Sequence, residues 1–254
     1  MPGLPSRHDQ LWFGGSLAVG QNGIFRKLLA ALCLLLAAAS ARGDAGQTRT
    51  TWTLPEVLKQ LDLEAKSFRS LTADLERTKV TVVVDDKSVE SGKVFIRKDD
   101  KMRIELTQPD ARTILRTGDD LYIYNPRLKR VEQYNIGKHR AEASQFLLLG
   151  FGSSGGDLKD KYLLALMGEE TIDKRKTLLL ELTPKSDKFR SQIAKIHLWI
   201  DTATWMPVQQ KFFETGSGDY FVVHFTNIVR NPRLTDAQFK PTWPKGTTKI
   251  KPQG

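Results

Sequence analysis

The sequence predicts a mainly β protein: an incomplete, strongly curved antiparallel β-barrel of about 10–11 strands, with helices covering its concave face. Three observations carry this. Short runs with apolar residues at alternate positions recur through most of the chain, as in "KMRIELT", where Met102, Ile104 and Leu106 alternate with Arg103 and Glu105. The connections between runs are short and rich in Asp, Gly, Asn and Pro, which suits antiparallel neighbours, whereas parallel ones need long crossovers. One amphipathic helix precedes the strands and one helical segment interrupts them. An open sheet of that size tends to curl.

The 254-residue chain begins with a segment that does not belong to the fold. Arg26 and Lys27 precede the apolar run "LLAALCLLLAAA", too short to span a bilayer, which needs about 20 residues. Ala39-Ser40-Ala41 is a small-x-small cleavage pattern, so residues 1–41 read as an N-terminal extension and secretory signal peptide cut after Ala41. Residues 42–53 are small and polar, a flexible leader. Residues 54–254 form a single domain. It opens on a helix: Thr53 with Glu56 makes a capping-box pattern, Pro55 suits a first turn, and Leu54, Val57, Leu58, Leu61, Ala65 and Phe68 fall on one face.

Strands then run from Thr72 to Ile136: "LTADLERTKVTVVV", "GKVFIRK", "KMRIELT", a run before "TGDD", "LYIY" and "KRVEQYNI". "RAEASQFLLLGFG" and "DLKDKYLLALMG" read as helical, joined by "SSGG". Four more strands follow, "KTLLLELTP", "IAKIHLWID", "WMPVQQKFFE" and "DYFVVHFTNIVRN". The tail "PRLTDAQFKPTWPKGTTKIKPQG", with four prolines, reads as loop.

Composition narrows the function. The net charge is +10, and residues 1–41 carry Arg7, Arg26 and Lys27 against Asp9, a net +2, which leaves +8 for the rest. Export removes nucleic acid as partner and points that charge at acidic proteins or anionic membrane surfaces. The only cysteine, Cys33, lies in the apolar run, so the mature chain has no disulfide and no thiol chemistry. No catalytic constellation stands out. Gly150-x-Gly152-x-x-Gly155 matches a dinucleotide fingerprint, but the surroundings are antiparallel and not a parallel βαβ unit. His139, His197 and His224 are isolated, and the absence of a His/Cys/carboxylate cluster speaks against a metal. Asp85-Asp86, Asp99-Asp100 and Asp119-Asp120 fall at hairpin turns, where aspartate bonds to its own backbone. The expectation is a protein without catalytic residues, metal or cofactor. An exported hydrolase is the alternative, and it needs catalytic groups gathered from distant strands.

"FIRKDDKMRIELTQPD", "GDDLYIYNP", "LELTPK" and "DAQFKPTWPKG", in that order after "SFRSLTADLERTK", resemble the landmarks of the periplasmic outer-membrane lipoprotein carrier family, the LolA-like proteins. The resemblance covers most of residues 54–247. It implies a soluble periplasmic monomer that takes the acyl chains of lipoproteins into an apolar cavity. The cargo comes from an inner-membrane lipoprotein-releasing complex and passes to an outer-membrane acceptor. Other members of the wider superfamily carry other lipids or sense lipoproteins in periplasmic regulation, the alternative reading here. On strand alternation, Val94, Ile96, Met102, Ile104, Leu106 and Ile114 line the cavity, opposite Lys93, Phe95, Arg103 and Glu105. Phe146, Leu148 and Leu149, before the flexible "GSSGG", form a lid. The family's lid-latching arginine, which precedes a proline, corresponds to Lys98 followed by Asp99. Lysine is a point donor rather than a planar fork. Arg97, one residue away, faces the other side of the sheet.

Overall fold

The computed structural model describes residues 51–137 and 149–252. A helix, α1 (Leu54–Ser67), leads into six strands: β1 (Ser70–Thr81), β2 (Asp86–Arg97), β3 (Lys101–Gln108), β4 (Arg112–Thr117), β5 (Asp120–Asn125) and β6 (Arg130–Asn135). A second helix, α2 (Gly155–Lys161), runs directly into β7 (Tyr162–Ile172) and β8 (Arg175–Pro184). A one-turn helix, α3 (Asp187–Arg190), precedes β9 (Ile193–Asp201), β10 (Pro207–Glu214) and β11 (Tyr220–Arg230), and β12 (Thr248–Ile250) ends the described chain.

These strands form one twelve-stranded sheet in the order β12-β6-β5-β4-β3-β2-β1-β11-β10-β9-β8-β7. Two meanders, β1–β6 and β7–β11, join where β1 pairs with β11. The sheet curls without closing, because its end strands β12 and β7 are not neighbours. Every pairing is antiparallel except that of β12 with β6. The turns carry the aspartates that the sequence placed there: Asp85 and Asp100 have φ of 49° and 60°, left-handed values that aspartate tolerates.

Alternation sorts the side chains onto two faces. On one, Val94 pairs with Ile104 and Ile104 with Ile114, while Ile96 pairs with Met102 and with Leu71. All are buried, and this is the face the helices cover. The other face carries a second core, built of Leu115, Tyr122, Tyr124, Val131 and Phe239, with Phe95, Leu234 and Trp243 against it.

Two expectations are corrected here. The stretch "YLLALMG", read as helix, begins β7, and among the described residues of the segments read as helical only Gly155–Lys161 is helix. A short apolar run has no periodicity that separates a helix from a buried strand. The proline-rich tail is also more than loop. It makes a 3-10 turn at Asp236–Phe239, stacks Trp243 on Tyr124 at 5.0 Å, and adds β12 to the sheet.

A charge cluster holds that tail down. Arg97 donates to Asp99 (2.7 and 2.8 Å), to the Leu234 carbonyl (3.0 Å) and to Asp236, and its guanidinium lies 5.3 Å from the Phe239 ring centre. Lys101 donates to Asp236 at 2.8 Å. The Lys101 and Arg97 hydrogen bonds hold the Asp236 carboxyl below the usual carboxylate range, and Arg97 does the same for Asp99. A carboxylate depressed in the folded state stabilises the fold above its unfolded pKa, and that contribution is lost as pH falls toward the folded value. Asp236→Asn should therefore flatten the loss of stability between about pH 5 and pH 2, as measured by urea denaturation at each pH. An unchanged acid limb would mean that this exposed carboxylate is screened by solvent and contributes nothing.

Candidate functional site

The site lies where α1, α2 and the segment before α2 cover the inner face of the sheet. Val57, Leu58, Leu61 and Ala65 make the buried stripe of α1, and Phe68 follows it as the chain enters β1. Arg230 of β11 fixes the end of the helix, donating to the Glu64 carboxylate and carbonyl (2.9 Å for the latter) and to the Ser67 hydroxyl at 2.6 Å. The Glu64 carbonyl, in the last turn, accepts from the Phe68 backbone N–H as well.

Two glycines bring the second cover close. Gly152 has φ +70°, and a Cβ there would lie 2.3 Å from the Phe68 ring. A Cβ on Gly155 would lie 2.5 Å from the Leu58 carbonyl oxygen. The glycines that imitate a nucleotide fingerprint are thus packing residues, which let this loop and α2 press on α1. Ser154 and Asp157 cap α2 reciprocally, each backbone N–H donating 3.0 Å to the other's side chain. The Ser154 hydroxyl, first of all, holds the Asp157 carboxyl below its ordinary range, and the charges of Lys161 and Lys98 add to this. Gln210 of β10 donates to the Leu149 carbonyl at 2.7 Å, and Phe151 meets Phe225 edge-on at 4.9 Å.

Between these covers and the sheet lies a cavity of about 200 Å³, lined by Phe68, Ile96, Lys98, Leu149, Phe151, Leu158 and Tyr162 among others. A larger hollow of about 550 Å³ opens on the outer face, but Asp74, Glu76, Lys93, Glu105 and His224 line it. The smaller cavity also carries charge, at Lys98, Asp157 and Lys161, but it lies under the helices on the inner face with Phe68, Ile96, Leu149, Phe151 and Leu158 in its wall, so it is the candidate.

Three of the sequence-selected residues, Ile96, Lys98 and Leu149, line this cavity. Val94, Met102, Ile104, Leu106 and Ile114 do not line it; they are buried elsewhere on β2, β3 and β4. Phe146 and Leu148 lie outside the described residues. Lys98 Nζ donates to the Ala65 carbonyl at 3.0 Å, in the last turn of α1. This bond joins the end of β2 to the end of α1, while Arg97 points to the tail on the other face.

Phe68, Phe151, Leu158 and Tyr162 were not foreseen as cavity residues. Phe68 showed only as part of the α1 stripe, and the others reach the site through the close approach of α2. The buried charges of the inner face were also missed. Arg77 and Arg112 share Glu90 at 2.9 and 2.6 Å, Arg77 lies 4.8 Å from the Phe221 ring centre, and Lys79 meets Glu214 at 2.6 Å. Burial pushes the Arg77 guanidinium down, and the Glu90 charge opposes it. A signal for them existed: continuing the odd positions Leu71, Ala73 and Leu75 along β1 leads to Arg77 and Lys79.

A curled, unclosed sheet with helices over one face is consistent with the fold that the resemblance to the LolA-like proteins implies. Residues 98–230 match the model of a family described as "Uncharacterized protein", and the chain belongs to that family. It is similar to an outer-membrane lipoprotein carrier protein of Dechloromonas aromatica, 25% identical over 223 residues, which is 88% of this chain and 95% of the relative. It is also similar to an uncharacterized protein of Methanocaldococcus jannaschii, 23% identical over 191 residues, 75% of this chain and 52% of the relative, so it spans about half that relative's length. A crystal structure of an uncharacterized conserved protein from Thermus thermophilus has the same fold. Its TM-score is 0.53 at 12% identity, covering 79% of this chain and all of that one (100%).

Proposed function

We propose that the chain is a non-enzymatic periplasmic carrier that shields the acyl chains of lipoproteins between its curled sheet and its helices, taking them from the inner to the outer membrane. The observation that carries the reading is the tie from Lys98 to the Ala65 carbonyl beside a cavity walled in part by Phe68, Ile96, Leu149 and Phe151. It makes α1 a cover whose end is held to the sheet by two hydrogen-bonded cations, Lys98 at the cavity's edge and Arg230 of β11. The similarity to a named lipoprotein carrier over most of both chains supports the same reading.

The size of the cavity describes a closed, empty state. At about 200 Å³ it is smaller than the roughly 300–1,000 Å³ of pockets that hold a drug-sized ligand. Acyl chains gain about 0.8 kcal/mol per buried methylene, enough for one long chain to displace a weakly held cover. Loading then means that the end of α1 leaves Lys98, and the loop and α2 move with it off the inner face, while the sheet stays as it is. Binding and release suffice for this work, and no covalent step is needed.

Mass spectrometry of the protein purified from periplasm tests the reading, and bound acylated lipoprotein is the expected result. Free phospholipid alone would move it to a carrier of another lipid, and no bound lipid of any kind would overturn it. A variant tests the wall. Ile104 lies between Val94 and Ile114 on the inner face, and a carboxylate there is costly to bury. Ile104→Asp should abolish extraction of a fluorescent acylated lipoprotein while circular dichroism still shows the β fold. Extraction at the wild-type rate would remove this stretch of sheet from the binding surface.

A further inference from the structure

The β1–β2 hairpin outruns its neighbours. β3 pairs with β2 only as far as Ser91, and β11 pairs with β1 only as far as Val80. The tip is a 3-10 turn, Val82–Val84, closed by Asp85 at φ 49°. Val82, Val83 and Val84 are 51%, 83% and 68% exposed, and Val89 behind them is 42% exposed. A lone exposed apolar residue needs no explanation, but a contiguous patch marks a contact site. The turn is held in place: the Val82 backbone N–H donates to the Asp219 carboxylate at 2.9 Å. Just behind it, the pairings set five side chains abreast on the outer face: Lys87, Val80, Tyr220, Phe213 and Lys195. Lys211 lies over the middle of this row, its Nζ 3.8 Å from the Tyr220 ring centre and 4.7 Å from that of Phe213. Lys195 pairs with Glu181, but among the described residues no carboxylate pairs with Lys87 or Lys211. Burial, first of all, and the Lys195 charge hold the Lys211 ammonium below the usual lysine range, and an anion beside it offsets both.

We infer that this end of the sheet is a membrane-docking surface: Val82–Val84 enter the surface of an anionic phospholipid bilayer, and the row behind them lies at the level of the lipid phosphates. The valines gain by leaving water. Tyrosine and lysine, each an apolar body with a polar end, suit the headgroup layer, and the phosphates complement Lys87 and Lys211. The carboxylates nearby limit the depth of entry. Glu214 is paired with Lys79 at 2.6 Å, and Asp219 is used by Val82. Asp85 and Asp86 are exposed, and a carboxylate is costly in hydrocarbon, so only the valine side chains pass below the headgroups. A projecting tip fits a fluid surface or a pocket in another protein; a row of lysine and aromatic side chains spread over five strands favours the lipid surface. The inference does not depend on the carrier reading, because the tip lies at the opposite end of β1 from Phe68 and the cavity.

Flotation of the purified chain with lipid vesicles tests it, using phosphatidylcholine alone and phosphatidylcholine with about a third phosphatidylglycerol. The wild type should float with the mixed vesicles. The double variant Val83→Ser/Val84→Ser should lower its partition at least about tenfold on both kinds of vesicle. Both valines are exposed, so the fold stays intact, and circular dichroism checks this. Lys87→Gln should lower partition about fivefold on the mixed vesicles and leave it unchanged on phosphatidylcholine. Ile104→Asp, which should lose extraction of acylated lipoprotein, should still float, and this separates docking from filling of the cavity. A wild type that stays with the unbound fraction overturns the inference. So does a serine variant that floats like the wild type, or an Ile104→Asp variant that does not float. Flotation that falls with Lys87→Gln but not with the serines also overturns it, and makes the row a basic surface for an acidic protein.

Discussion

Phe239→Ala should lower the free energy of unfolding by about 3–5 kcal/mol, the usual loss for a buried aromatic truncated to alanine. Phe239 is 2% exposed, on the outer face of the sheet, in one cluster with Leu115, Tyr122, Tyr124 and Val131. It is the plug by which the tail closes a second core, and Arg97 caps its ring. Removing the ring leaves a cavity against strands β4 to β6, whose backbones cannot collapse into it without breaking their register. Urea denaturation followed by tryptophan fluorescence measures the loss, and Trp243, stacked on Tyr124, reports on the tail itself. Extraction of acylated cargo at a temperature where the variant is folded should not change, because this core and the cavity lie on opposite faces. A loss below about 1 kcal/mol, the range of ordinary surface substitutions, would mean that the tail is a loose strap.

The contrast between the two faces explains what the sequence made legible. The inner face was readable from β2 and β3, because "KMRIELT" alternates cleanly and its Met102 and Ile104 pair with Ile96 and Val94 of "VFIRK". The outer core was hidden. Tyr122 and Ile123 are adjacent and both apolar, so in "LYIY" alternation assigns no face, and Phe239 and Trp243 sit in a stretch whose prolines speak only of loop. Prolines forbid ladder hydrogen bonds, but they do not prevent a side chain between them from filling a hole. β7 failed for a related reason. Edge strands need no clean alternation, and Leu163 to Leu166 is apolar at every position because Leu164 and Leu166 face the inner side while Leu163 and Ala165 face out. In the site, Lys98 was reached through the family resemblance, with alternation from Ile96 setting its side of the sheet. Phe151 and Leu158 could not be found that way. Their place depends on Gly152 and Gly155 approaching Phe68 and Leu58, contacts between residues some 84 to 97 positions apart in sequence.

Lys98→Leu should slow release of cargo about tenfold, and Lys98→Arg should restore or exceed the wild-type rate. The Lys98 ammonium donates to the Ala65 carbonyl at 3.0 Å, a bond that exists only while the end of α1 lies on the sheet. A hydrogen bond to a charged group contributes about 1.5–3 kcal/mol, and the residue's exposure puts this one at the lower end. Each 1.4 kcal/mol is about a factor of ten in an equilibrium, so the tie biases the empty carrier about tenfold toward the closed form. Leucine removes that bias and adds apolar surface beside Ile96 and Phe68, where acyl chain would lie. Both changes favour the loaded form over the closed empty one, because a group that interacts with only one state shifts the equilibrium by the whole of its contribution. Arginine keeps the charge and offers a planar fork of donors, so it can reach more than one of the free carbonyls at the end of α1 and close the empty form more firmly. Transfer of a fluorescent acylated lipoprotein to acceptor vesicles gives the release rates. Hydrogen exchange in α1 of the unloaded proteins gives the closed fraction, with faster exchange near Ala65 in the leucine variant. If the three proteins release cargo at one rate while exchange near Ala65 differs among them, Lys98 fastens the helix but opening is not the step that frees the cargo. If neither quantity changes, the contact is a surface lysine resting on a helix end, and the cover is held by Arg230 and by packing of Phe68, Leu58 and the two glycines.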